Sequence, residues 1–181
     1  MMLQWQAIME AEKEKCSSLT VKDKFAYFLL LQYRNPYGWG RENLVTADCS
    51  GSVCLALMLA TGCMVRTTAN GLLEKFFTKK KPTSQDIQCA FFVCRNDRKH
   101  GDRIAKRGQA VHVVGSVGNG VVFNSVMPVA ELRTLEGLKR EYDVSGCDCV
   151  VRGLNMEALE EAHKNCSDLF GLDDEVERYF G

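Results

Sequence analysis

Apolar residues follow different rhythms along this chain. Phe25, Phe28 and Leu29 recur at helical spacing, with Gln32 on the same face. That period predicts an amphipathic helix. Thr20-Val21-Lys22-Asp23 reads as its capping box and Asn35-Pro36 as its stop. Over residues 48–60 the period disappears, because nearly every position is apolar. A helix that is apolar all round is central and buried. Gly62 supplies its C-cap. Residues 87–94, 110–117 and 121–126 are short apolar runs and read as strands. The last two flank Gly118-Asn119-Gly120, a strong hairpin signal.

Weaker patterns fill the remainder. Leu3, Trp5, Ile8 and Met9 give a polar helix over residues 1–15 its apolar side. Residues 37–45 form a loop broken by Gly38 and Gly40, and residues 96–108 a charged loop. Lys79-Lys80-Lys81-Pro82 is a solvated turn. Leu132, Leu135 and Leu138 predict a short helix, and Val150-Val151 lies in a short strand. Asn155 caps a helix to Lys164, and residues 169–180 form a last one. Helices come first, then antiparallel strands, then more helix and strand, so the fold class is α+β. A length of 181 residues suits a single domain. Its parts are a helical extension (residues 1–35), a core (36–127), and C-terminal helices and strand (128–181).

Charge adds an exclusion. Lys and Arg number 23, as do Asp and Glu, so no nucleic-acid or other polyanion partner is implied. Nine cysteines is an odd number without regular spacing, which argues against a disulfide scaffold and for mostly reduced, buried thiols. No apolar run approaches the ~20 residues of a membrane span. The N-terminus has no basic segment followed by an apolar one, so no signal peptide is expected. Synthesis in the cytoplasm follows from that reading.

The candidate chemistry starts at Cys49, in Asp48-Cys49-Ser50-Gly51, at the predicted start of the apolar helix. Free N–H groups and the dipole at a helix start favour a thiolate. Cys54, one turn on, is inside the apolar run and reads as packing. The small Ser50 and Gly51 leave room for a carbonyl, and the Cys49 N–H can serve an oxyanion hole. A lone cysteine at a helix start is commonly structural, so a base must be found. The chain has three histidines. His100 sits in the charged loop and His163 on the C-terminal helix, while His112 stands in a strand among valines. An orienting group on the same sheet face follows from register. A three-residue loop pairs Val117 with Val121 and Val114 with Asn124, making Asn124 the diagonal neighbour of His112, ~7–8 Å away at the backbone. It also sets Phe123 opposite Gly115, where the glycine leaves room for the ring. Ser125 takes the place of Asn124 if the register slips.

These residues resemble the NlpC/P60 family of cysteine peptidases. Pro36-Tyr37-Gly38-Trp39-Gly40 resembles the family's P-Y-x-W-G-G loop and Asp48-Cys49-Ser50-Gly51 its D-C-S-G motif. Arg66-Thr67-Thr68 resembles R-T-S, and His112, the Gly-Asn-Gly turn and Asn124 resemble the strand pair with the base. The resemblance covers roughly residues 36–126. It implies a papain-like α+β fold, with a central nucleophile helix on an antiparallel sheet. It implies hydrolysis of amide bonds in peptidoglycan stem peptides or muropeptides, without a cofactor or a metal. Cys49 would attack, His112 would accept and return the proton, and Asn124 would orient the ring. Tyr37 would line the oxyanion region, Asp48 would hold a substrate amine, and Ser50 would border it. Arg41 and Ala47 depart from the family pattern beside these subsites. The resemblance is compatible with a phage lysis or tail enzyme reaching the cell wall by other means, and with muropeptide recycling. Three alternatives stand beside it: a related amidase or acyltransferase, an inactive binding module, and a zinc site from Cys147, Cys149, His163 and Cys166, whose spacing is unusual for structural zinc.

Overall fold

The computed structural model of the chain describes residues 17–41, 43, 45–100 and 103–170. The helix expected over residues 1–15 lies outside them. Helix α1 (Val21–Leu30) begins where Thr20 Oγ1 accepts the Asp23 N–H at 3.2 Å. Phe25, Phe28 and Leu29 bury its inner face. The helix ends at Leu30 rather than at Asn35-Pro36. Tertiary pairing takes over there: Arg34 adopts a φ of 69° and gives its N–H to the Ala130 carbonyl at 3.0 Å. Buried Gln32 donates to the carbonyls of Phe28 at 3.0 Å and Ser52 at 3.1 Å, which ties α1 to the next helix.

That helix, α2 (Cys49–Thr61), runs from an Asp48 N-cap to Gly62 in the left-handed conformation, φ 76°. Its buried residues include Gly51 through Leu57 and Ala60. A single turn, α3 (Ala69–Gly71), passes into a π-helical turn over Leu72–Phe76 that the sequence pattern does not announce.

The strands are β1 (Gln88–Cys94), β2 (Arg98–His100), β3 (Arg103–Ala105), β4 (Ala110–Gly118), β5 (Val121–Asn124), β6 (Glu131–Thr134) and β7 (Cys147–Gly153). Five of them form an antiparallel sheet in the order β6-β5-β4-β1-β7. The expected charged loop over residues 96–108 contains the separate β2–β3 hairpin. Leu132, read as helical, lies in β6; the helix that follows, α4 (Leu135–Val144), starts at a Thr134 N-cap. Three leucines at helical spacing hid a strand edge, since Leu132 is exposed there. Helix α5 (Met156–Phe170) opens where Asn155 Oδ1 accepts the Ala158 N–H at 3.3 Å. It continues past Lys164, so the separate last helix expected from residue 169 does not begin there; residues 171–181 lie outside the described set.

Both faces of the sheet are covered. Cys89, Phe91, Val113 and Phe123 pack with α1, α2, the π-helical turn and Leu159 of α5. Ala90, Phe92, Val114 and Val122 pack with Leu138 of α4. A strand buried on both sides reads as one apolar run, which is how residues 87–94 appear. The cysteines with described side chains are free thiols. Cys94 and Cys147 face each other across β1 and β7, and Arg98 donates to Cys147 Sγ at 3.3 Å.

The β4–β5 register departs from expectation at the tip. Gly118, not Val117, pairs with Val121, and the turn is Asn119-Gly120 with φ of 52° and 73°. Positive φ at both positions is the two-residue hairpin turn that matches strand twist. An irregularity between Ser116 and Gly118 then absorbs one residue and sets Gly115 opposite Phe123. Gly115 makes room for α1 rather than for Phe123. A Cβ there would stand 2.3 Å from Leu29 Cδ1 and 3.3 Å from Phe25 Cζ. Gly115→Ala is therefore expected to overpack the core and cost ~1–3 kcal/mol, read as a lower urea midpoint. An unchanged midpoint would show that α1 does not press on β4.

Candidate active site

The site is assembled at the start of α2 and along β4. Asp48 secures the helix start. Its Oδ1 accepts the Gly51 N–H at 2.7 Å and the Ser50 hydroxyl at 2.9 Å, and its Oδ2 accepts the Gly40 N–H at 2.9 Å. One carboxylate thus caps the helix and pins the glycine-rich loop over it. Gly51 is required by the same contact: a Cβ would lie 2.2 Å from the Arg41 carbonyl oxygen. Arg41, the departure from the family loop, meets the helix through its backbone, and its carbonyl also takes the Asp48 N–H at 3.1 Å.

Cys49 is the first residue of α2 and keeps part of its surface, whereas Cys54 is buried. The backbone N–H groups of Val113, Ser50 and Cys49 itself favour the Cys49 anion. Burial, and after it the Asp48 carboxylate, outweigh them and push the thiol up to about 12. The lowered thiol pKa expected of a helix start is therefore not found. Desolvating an anion costs more than three N–H groups return. At neutral pH the resting group is a thiol.

His112 is buried, on the sheet face covered by α4. Its Nε2 lies 2.7 Å from Asn124 Oδ1. Ladder pairing between β4 and β5 ends at Gly115 and Phe123, so one step further Asn124 comes opposite Val114, diagonal to His112. Asn124 is 3% exposed and passes its Nδ2 hydrogen to Glu131 Oε1 at 3.2 Å. Ser125 is also buried but points elsewhere, donating to the Ala47 carbonyl at 3.0 Å. It ties β5's end to the residue before the Asp48 cap. His163 Nδ1 accepts the Met64 N–H at 3.2 Å on the α2 side of the sheet, so it does not meet Cys147, which packs on the other face. Among the described residues no cluster of three or more His, Cys, Asp or Glu could hold a metal.

Tyr142 is the residue that sequence reasoning missed. Its ring stacks on Phe92, centroids 4.0 Å apart, and lies parallel to the His112 ring within 7° at 5.4 Å. Burial first, and the Cys49 sulfur next, raise its phenol. Tyr37, half-buried, is raised by burial, then by Cys49, then by Asp48. Both hydroxyls thus stay protonated. Tyr142 follows Leu135 and Leu138 at helical spacing, so its inward direction was legible; that α4 would cover His112 was not.

The sulfur's environment sets a pH dependence. With the thiol at about 12, the thiolate fraction climbs ~tenfold per pH unit below that value. The rate of Cys49 alkylation by iodoacetamide is expected to rise in this way from pH 7 to 9.5 without levelling. A plateau beginning below pH 8 would mean that the thiolate is already formed.

No protein-family profile matches the chain, and no curated protein does. Solved structures do. NlpC1 from Trichomonas vaginalis superposes with a TM-score of 0.52 at 18% identity, covering 75% of this chain and 44% of that one. An NLP/P60 family protein similar to lipoprotein, from Staphylococcus aureus, gives 0.55 at 15% identity, covering 74% and 41%. The NlpC/p60 domain of the peptidoglycan hydrolase SagA gives 0.50 at 14% identity, covering 72% of this chain and 97% of that domain. This chain thus spans less than half of the first two proteins and nearly the whole SagA domain. What they share at such identities is architecture: the chain has the α+β fold of the NlpC/P60 structures.

Proposed function

We propose that the chain is a cysteine peptidase that hydrolyses amide bonds in peptidoglycan stem peptides. The observation that carries this reading is the buried His112–Asn124 hydrogen bond of 2.7 Å, in a chain whose Cys49 opens the buried helix α2. The NlpC/P60 fold supports the substrate class, since SagA is a peptidoglycan hydrolase. Cys49 attacks the scissile carbonyl while its proton passes to His112, so that sulfur becomes a nucleophile only as the bond forms. The Cys49 N–H stabilises the oxyanion, and Tyr37 adds a hydroxyl near it. His112 then protonates the leaving amine, and water releases the acyl group from sulfur. Asn124 holds the imidazole throughout.

The first turn of α2 suits a substrate amine. Asp48 Oδ2 carries one donor, from Gly40, and has a lone pair to spare. Ser50 donates to Asp48 and keeps its own oxygen lone pairs for an ammonium hydrogen. A stem peptide with a free amino terminus would place that group here.

Purified muropeptides incubated with the protein and analysed by mass spectrometry test the reading. Cleavage within the stem peptide is expected, and Cys49→Ala is expected to abolish it with the fold intact. His112→Ala is expected to be nearly as damaging and Asn124→Ala milder, because orientation is worth less than proton transfer. Full turnover in Cys49→Ala, or loss on Ser125→Ala with Asn124→Ala harmless, would end the assignment.

A further inference from the structure

We propose that Glu131 is a positioning residue: its carboxylate sets which end of the Asn124 amide faces His112, and through that the tautomer of the imidazole. The proposal rests on the reading of Cys49, His112 and Asn124 as the reacting unit. An asparagine amide fits a site in two orientations, one end accepting and the other donating. Asn124 is 3% exposed, so its protein neighbours choose between them. One end meets His112 Nε2 at 2.7 Å and the other meets Glu131 Oε1 at 3.2 Å. The imidazole Nε2 can meet either end of the amide, because it can donate or accept. A carboxylate can only accept. Glu131 therefore claims Nδ2, which turns Oδ1 toward the imidazole. Facing an acceptor, Nε2 carries the hydrogen, and Nδ1 keeps the lone pair that a base needs. Were the amide reversed, Nε2 would hold the lone pair and Nδ1 the hydrogen.

Glu131 is placed for this by pairing. It stands directly opposite Asn124 in the β5–β6 ladder, so no long reach is needed. Arg133, two residues on, grips the same Oε1 from Nη1 at 3.0 Å and Glu141 Oε2 from Nη2 at 3.0 Å. An ion pair on an edge strand is ordinarily worth little. Here its carboxylate also reaches a buried amide that no other acidic group is seen to touch among the described residues. The line Glu141–Arg133–Glu131–Asn124–His112 links α4 to the imidazole through β6, a strand outside the stretch that resembles the family.

The test is the nitrogen spectrum of the His112 ring in protein with ¹⁵N-labelled histidine, for wild type, Glu131→Gln and Glu131→Ala, with thermal melting of each. Wild type is expected to show the Nε2–H form. Glu131→Ala is expected to populate the Nδ1–H form, and Glu131→Gln, whose amide can present either end, to fall between. On a purified muropeptide, kcat of Glu131→Ala is expected to drop about tenfold or more with KM nearly unchanged, since a wrong tautomer alone costs ~10⁴-fold in a serine triad. An Nδ1–H ring in wild type, or an unaltered Nε2–H ring in Glu131→Ala, overturns the proposal. The wild-type spectrum and the glutamine isostere carry the test if the alanine variant melts early. A tautomer shift in Glu131→Ala from a wild type that cleaves no muropeptide would support the role of Glu131 and defeat the substrate reading.

Discussion

The site depends on a strand that outlasts its neighbour. β4 keeps its ladder with β5 only as far as Gly115 and Phe123, then runs on beside β1 alone. Beyond that point the β5 side of β4 offers backbone donors and side chains instead of ladder bonds. There His112 and Asn124 bond through their side chains. Two irregularities frame this stretch, one between Ser116 and Gly118 and one against Phe92 and Val93 of β1. The first puts Asn124 on the face that His112 occupies. Without the first, every residue of the β5 end would turn to the opposite side.

Burial then sets the electrostatics. The Cys49 thiol and the phenols of Tyr37 and Tyr142 are raised by desolvation before any other cause. The resting site therefore holds neutral acids rather than a separated ion pair. Such a site keeps no dry anion at rest; in the proposed reaction, charge develops only when a substrate carbonyl accepts it. Asp48 fits this arrangement. It disfavours the free thiolate, yet its oxygens hold the helix start and the glycine-rich loop in the shape a substrate would meet.

The elements whose chemistry is local were legible in the sequence. Gly62 bounded α2 because a left-handed glycine acts within one turn, whereas Asp48, read as the helix's first residue, is its cap acceptor. Asn124 was reached because strand alternation is arithmetic. The tip of the same hairpin was misread, since a glycine on either side of Asn119 suits two turn lengths and only the bulge reconciles them. Tertiary partners stayed hidden. Leu132 looked helical beside Leu135 and Leu138, although it lies on an edge strand. Nothing in the sequence sets Glu131 apart from other surface charges; β6 places it opposite Asn124. The height of the Cys49 pKa was also beyond reach, because a helix start is visible in a sequence and the protein packed around it is not.

The most direct measurement is a proton titration of the His112 ring by NMR, with the Cys49 thiol free and after methylthiolation of that single residue. If sulfur and imidazole share one site, capping the sulfur moves both the ring resonances and their midpoint. Identical titrations before and after capping would place the two groups apart and contradict the account.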